Sequence, residues 1–289
     1  MQRVLGVVGG SGIYEIAGLD RREELNVETP FGAPSDAVVR GRLAETTLLF
    51  LPRHGRGHRI PPHAINYRAN VCALKQLGAT QLVSLSAVGS MKEHIEPGDV
   101  AVVDQYIDLT KRRISSFFDE DVAAHVSFAD PVCPALSRAL ADAAWRAGGS
   151  VHEGGTYLCM EGPQFSTRAE SLLYRSWGVS VIGMTAMPEA KLAREAELPY
   201  ATLALATDYD CWHASEEAVT VDAVLAVLKR NAELARQTIL LLAQSLPDPA
   251  QSPASRALDG AIITRHEAIT PAARARLGWL VGRHLGGSS

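Results

Sequence analysis

No stretch of this 289-residue chain approaches the ~18–20 consecutive apolar residues that a membrane-spanning helix needs. Cysteine is scarce. Cys72, Cys133, Cys159 and Cys211 stand far apart with no CxxC pairing, which speaks against a disulfide framework and against a zinc site. Positive charge is not in excess either: 28 Lys and Arg face 32 Asp and Glu, a net charge of −4 with His neutral. A general nucleic-acid binder carries a basic surplus and is disfavoured. The widest basic run, Lys111-Arg112-Arg113, is short and reads as a solvated turn. A GK[ST] phosphate loop is absent, and the early Gly9-Gly10-Ser11-Gly12 turn fails the dinucleotide fingerprint because Glu15 stands where its third glycine belongs. The start, MQRVLGVVGGSG, reads as a first strand and turn rather than a leader. The expected compartment is a reducing cytoplasm.

What is present is ordinary globular composition, 47% hydrophobic and 21% charged, ample for a large core. Disorder is excluded, because such a chain buries enough apolar surface to offset its entropy. Short apolar runs bounded by Gly, Pro or polar residues predict strands at 4–8, 46–52, 81–90, 99–109, 155–163, 179–183 and 200–208. Helical spacing follows Pro61-Pro62 up to Gly78, and recurs at 134–148, at 166–178 with Ser166 as N-cap, over MPEAKLAREAEL, and over roughly 217–245. Strands alternating with helices predict an α/β layer fold with a parallel or mixed sheet. Residues 1–246 read as one domain. The Pro/Ser-rich 247–255 reads as a linker to a helical stretch near 270–285 and a frayed GGSS end, so 247–289 is an extension of the same domain.

Several strand ends carry chemistry, and each also has a plainer reading. The GGSG turn, with Ser11, can cradle an anion or simply turn. PRHGRGH (52–58) places Arg53, His54 and His58 directly after a strand, where α/β folds bind ligands. Arg53 offers a fork of donors suited to phosphate; the alternative is a solvated basic loop. SAVGS (86–90) ends another strand with small, hydroxyl-bearing residues. MEGPQFSTRAES (160–171) places Phe165 at a strand-to-helix corner, either to stack on a flat heterocycle or to join the core. MTAMPE (184–189) forms a third such corner with Met184 and Thr185. In TDYDCW (207–212) Asp208 and Asp210 point to one face if the chain stays extended. An ionised carboxylate accepts and one of raised pKa donates, which suits an amino group beside a ring nitrogen; a capping Asp pair is the alternative. Val221, Val224 and Leu225 form an apolar stripe that also fits plain core packing.

Taken in order, GGSGIY, TPFG, RHGRGH, NYRAN, GDVAVVDQYID, EGPQFSTRAES, GMTAMPEAKLAREA and ATDYDCW closely resemble the 5′-methylthioadenosine phosphorylase family, within the purine nucleoside phosphorylases of trimeric architecture. The resemblance covers about residues 4–245, and GAIITRHEAI resembles the C-terminal element of bacterial and archaeal members. It implies a mixed, partly barrel-like sheet surrounded by helices. It implies phosphorolysis, in which phosphate attacks C1′ and releases purine and ribose 1-phosphate with inversion. No metal and no organic cofactor is expected, only inorganic phosphate as co-substrate.

By the same resemblance, Ser11, Arg53, His54, Ser86, Ala87 and Thr185 bind phosphate. Met184 packs under the ribose and Phe165 takes the base face. Asp208 and Asp210 take the purine edge, with Asp208 as general acid at N7; their carboxylates point to adenine over 6-oxopurines. Val221, Val224 and Leu225 form an apolar pocket for a 5′-methylthio group. His58 lies near that end, and His125 comes from a neighbouring subunit, so a homotrimer, or a hexamer of two trimers, is implied. The sequence departs from common family patterns at Ser11 and Ser86, which keep the hydroxyl of a frequent Thr, and at Gln164, which replaces a frequent Arg. The Cys-rich tail of some hexameric members is absent. The alternatives are a related phosphorylase acting on adenosine, inosine or methylthioinosine, a nucleotide-cofactor oxidoreductase on the glycine turn, and a non-catalytic nucleoside-binding protein.

Overall fold

The structure, a computed structural model, describes residues 3–10, 20–119, 121–213 and 221–284; of residues 221–226 and 228 it describes the backbone alone. Among the described residues eleven strands form one mixed sheet. Strand β1 (Arg3–Gly9) lies parallel to both β4 (Thr46–Pro52) and β5 (Gln81–Ser90). Beyond β4 the sheet continues antiparallel through β3 (Val38–Leu43) to β2 (Asp20–Leu25). The sequence DRREEL of β2 is almost entirely exposed, a charged edge strand of the kind that resists pairing with other chains. Neither β2 nor β3 is foreseen by apolar patterning: the charged edge strand β2 has no buried face to declare it, and in the interior strand β3 Arg40 and Arg42 interrupt the short apolar run of Val38 and Val39.

The partial closure rests on β5 and β11 (Tyr200–Asp208), which run parallel over eight paired residues. Both are almost wholly buried, which is why they read as continuous runs of apolar and small residues. From β11 the sheet passes to β6 (Val100–Val102), and from the end of β5 to β10 (Val181–Gly183), β9 (Thr156–Cys159) and β7 (Gln105–Asp108). Only Val103 and Asp104 separate β6 from β7, so the chain itself closes the circuit β5–β11–β6–β7–β9–β10. The expected single strand over 99–109 is therefore two. The break is local: the N–H groups of Asp104 and Gln105 both turn to the carbonyl of Gly155, at 3.2 and 3.3 Å. A further short strand, β8 (Val151–Glu153), pairs with β6.

Among the described residues six α-helices cover the sheet: α1 (Tyr67–Gln76), α2 (Pro134–Arg146), α3 (Arg168–Ser176), α4 (Ala186–Glu195), α5 (Val221–Gln244) and α6 (Pro271–Val281). One core cluster joins the sheet to α1, α4 and α6, and a second joins its other face to α2 and α5. The N-cap of α3 is Thr167, not Ser166; Thr167 accepts from the Glu170 N–H while Glu170 reaches back to the Thr167 N–H, a closed capping box. The segment after α5 folds as two short 3-10 turns at 249–251 and 253–256, then sends Leu258, Ala261, Ile269 and Leu277 into the first core cluster. Among the described residues no helix is long and apolar enough to cross a membrane.

Candidate active site

The C-terminal ends of β1, β4, β5 and β11 open together, as expected for parallel strands of an α/β sheet. They surround a cavity of about 330 Å³. Arg53, His54, His58, Ser86, Ala87, Phe165, Met184, Thr185, Asp208 and Asp210 all line it. Five segments spread over some 160 positions of sequence thus converge on one space. Ser11 lies outside the described residues, although its neighbour Gly10 lines the cavity. Val221, Val224 and Leu225 belong to α5, but their side chains lie outside the description; Ala232 of the same helix reaches the cavity wall. His125 does not line the cavity of its own chain. Its N–H donates to the Ala261 carbonyl at 2.9 Å, beside a bridge between Ala124 and Ile262.

One end of the cavity is polar. Arg53 is buried there, and its Nε and Nη2 donate to the two Glu189 oxygens at 2.8 and 3.0 Å. Nη2 also donates to Ser84 Oγ at 2.8 Å, and Nη1 to the Leu85 carbonyl at 3.1 Å. Burial works against the guanidinium charge, but the Glu189 carboxylate outweighs it and raises the Arg53 pKa. Counting donors, one Nη1 hydrogen has no partner among the described residues and can meet a ligand. Glu189 sits in the MTAMPE segment singled out above, but its pairing with a residue 136 positions away has no signature in sequence.

His54 lies beside this pair. Its Nδ1 is 2.8 Å from the Ile60 carbonyl, which makes Nδ1 the protonated nitrogen of a neutral ring. Burial pushes its pKa down to about 4, with the Arg53 charge adding to the effect. The His58 ring stacks on it at 4.1 Å between centroids, and burial lowers that pKa too. Ser86 Oγ lies 2.9 Å from Tyr157 Oη and 3.2 Å from Thr185 Oγ1, a row of hydroxyls that can donate to an oxyanion.

The opposite end carries the carboxylates. The chain does not stay extended there: β11 ends at Asp208 and Asp210 has φ of +52° in a 3-10 turn. Both side chains reach the cavity even so. Asp208 Oδ1 accepts from the Asp210 N–H at 2.8 Å and Oδ2 from Thr207 Oγ1 at 2.7 Å. Asp210 Oδ2 accepts from Ser171 Oγ of α3 at 2.5 Å. Burial raises the pKa of both carboxyls, against the opposing pull of these hydrogen bonds, and the Asp208 charge adds to the rise at Asp210. Gly89 makes room for them, since a Cβ at that position would stand 3.0 Å from Asp208 Oδ1. Phe165 is 71% exposed yet lines the cavity, so its ring is free to meet a flat ligand.

Arg113, expected in a solvated turn, has a side chain only 1% exposed, paired with Glu161. Among the described residues one group of metal-ligating side chains comes together, Glu197, Asp259 and His284. None of them lines the cavity, and Arg283 Nη2 stands 2.5 Å from Glu197 Oε1, so the group forms an ionic latch that holds the C-terminal segment.

A sheet closed in this way, with a hydroxyl-rich pocket at one end and paired carboxylates at the other, is the frame of a nucleoside phosphorylase. The chain belongs to the phosphorylase superfamily, whose profile matches residues 4–243. It is similar over nearly its whole length to an S-methyl-5′-thioadenosine phosphorylase of Geobacter sulfurreducens, at 54% identity over 286 residues, 99% of this chain and 100% of that protein. Its fold matches the crystal structure of a methylthioadenosine phosphorylase from an antarctic soil metagenomic library, with TM-score 0.91 and 46% identity over 97% of this chain and 99% of that one. It also matches the methylthioadenosine phosphorylase of Schistosoma mansoni in complex with adenine, with TM-score 0.84 and 34% identity over 90% and 99% of the two chains.

Proposed function

We propose that this chain catalyses the phosphorolysis of 5′-methylthioadenosine to adenine and 5-methylthioribose 1-phosphate. The observation that carries the reading is one cavity with hydroxyls and the Arg53 guanidinium at one end, and two carboxyls of raised pKa, the half-buried Asp208 and the buried Asp210, at the other. Likeness to proteins named for this activity supports it.

In this reading phosphate sits among Ser11, Arg53, His54, Ser86, Ala87 and Thr185. A phosphate oxygen forms the new bond to C1′ as the C1′–N9 bond breaks. The electron pair of the broken bond passes to the purine, whose N7 takes a proton from Asp208. Phosphate and base need only be held in line, with the developing charges met by fixed donors. Phe165 covers the base and Met184 the ribose, where a soft apolar surface tolerates a flattening sugar. Asp210 accepts from the 6-amino group. Val221, Val224, Leu225 and His58 enclose the 5′ substituent, and His125 of a neighbouring subunit closes it in a homotrimer.

The co-substrate is inorganic phosphate, with no organic cofactor or metal. The four free cysteines suit a reducing cytoplasm. Residues 247–289 extend the same domain, a reading supported by their share of the first core cluster.

The test is purine release from methylthioadenosine, adenosine, inosine and methylthioinosine, each with and without phosphate. Adenine release that needs phosphate and is fastest with methylthioadenosine is expected. Release mainly from the 6-oxopurine nucleosides would overturn the base assignment, and no phosphate-dependent release would overturn the activity.

A further inference from the structure

Part of the cavity wall is formed where two strands separate. Strands β9 and β10 run parallel, and the Met160 N–H to Gly183 carbonyl bond of 2.9 Å closes their ladder. Beyond it the chains diverge. One carries Met160 and then Phe165 into the cavity wall; the other carries Met184 and Thr185. Strands that part leave carbonyls without ladder partners, and buried carbonyls need donors.

Arg113 supplies them. Its Nη2 stands 2.6 Å from the Glu161 carbonyl and 3.3 Å from that of Met160. Its Nη1 stands 2.7 Å from the Met184 carbonyl and 2.6 Å from that of Met187. Met187 is the kink of α4, with φ −114° and ψ 134°, so its carbonyl leaves the helical direction. Nη1 also donates to Tyr67 Oη at 2.9 Å, and Tyr67 donates in turn to the carbonyl of Pro62, a third wall residue, at 3.0 Å. The Arg113 side chain is itself absent from the cavity lining.

We propose that Arg113 is a positioning residue for the reaction: one rigid guanidinium clamps the two diverging segments and sets the distance between the base wall and the ribose-phosphate wall. The inference rests on the phosphorolysis reading. A planar fork can hold carbonyls from two directions at once, whereas an ammonium on a flexible stem cannot. A nucleoside and phosphate in line span both walls, so a shift of one wall misaligns the attack. A misplacement of about 1 Å costs on the order of a hundredfold in rate. Adenine alone needs only the base wall and the carboxylates, and should not feel the change.

The test compares wild type with Arg113→Lys as full-length protein. Calorimetric titration with adenine gives both affinity and the number of competent sites, and turnover of methylthioadenosine is then expressed per adenine-binding site. Arg113→Lys is expected to keep the adenine Kd within about threefold while kcat per site falls on the order of a hundredfold. Wild-type kcat per site would overturn the proposal, as would a fall in kcat matched by an equal loss of adenine affinity. Should Arg113→Lys fail to fold, Tyr67→Phe removes one anchor of the clamp. It is expected to lower kcat per site severalfold at unchanged adenine affinity, and an unchanged kcat would overturn the proposal. Wild type that binds adenine but shows no phosphate-dependent turnover would overturn the activity itself, a result distinct from either variant outcome.

Discussion

Arg53 and Glu189 form a buried two-point ion pair, with Nε to Oε2 at 2.8 Å and Nη2 to Oε1 at 3.0 Å and side chains 1% and 2% exposed. The residue best placed to attract phosphate therefore has its charge largely cancelled within the fold. Its contribution to the ligand is a directed hydrogen bond rather than a free cation.

Arg53→Ala therefore costs more than phosphate binding. It strands the Glu189 carboxylate, and breaking a buried pair from one side costs roughly 3–5 kcal/mol. We expect a lower urea midpoint together with a raised KM for phosphate. Arg53→Met with Glu189→Met should recover much of the stability but not the phosphate affinity. A single variant as stable as wild type would contradict the pairing.

Asp208→Asn should shift the base preference toward 6-oxopurines. The aspartate accepts from both Thr207 Oγ1 and the Asp210 N–H. An asparagine keeps one acceptor and turns a donor toward the purine edge, which suits an oxo group. Adenine release should fall by roughly a hundredfold or more. Inosine or methylthioinosine should gain relative to it, and an unchanged ratio in competition assays would refute the edge assignment.

Gly89→Ala presses on the same carboxyl. The new Cβ would stand 3.0 Å from Asp208 Oδ1 and 3.1 Å from Ile182 Cγ2. Asp208 must yield, so kcat should drop roughly tenfold to a hundredfold with only a modest change in melting temperature. Full activity would show that Asp208 tolerates displacement.

The buried neutral His54 sets a pH dependence of stability. Its folded pKa of about 4 lies below the ordinary value of 6.5. The unfolded chain takes up the proton first, so stability is lost as pH falls from 6.5 toward 4, and is level below that. The loss is ~3 kcal/mol at most for this group. Urea unfolding at pH 7.5, 6 and 4.5 should show the slope in wild type and a shallower one in His54→Gln. Parallel slopes would remove His54 from the account.

Phe165→Ala should raise the nucleoside KM by several-fold to tenfold, the worth of a ring stacked on a base. At 71% exposure the ring contributes little to the fold, so the unfolding midpoint should barely move. An unchanged KM would place the base elsewhere.

Strands with two buried faces were legible because burial demands apolar or small residues throughout: 46–52, 81–90 and 200–208 match β4, β5 and β11 residue for residue. The residues at their ends were legible for a related reason. Arg, His, Ser, Thr and Asp beside glycine at a strand terminus are conspicuous, and most of those named from sequence meet in one cavity. The edge strand β2 was not legible, since its charged residues face solvent like those of a loop.

The sequence by itself determined the alternation of strands and helices, the polar strand ends, and the resemblance that joins them to a reaction. Only the tertiary structure decided which polar residues serve each other. Arg113 and Arg53 are both arginines next to basic neighbours in the chain. One clamps carbonyls at 160, 161, 184 and 187, and the other is paired with Glu189. Patterning reads neighbours three or four residues apart along one face. The partners here lie 47 to 136 positions away, brought close only when the sheet curls and its strands part.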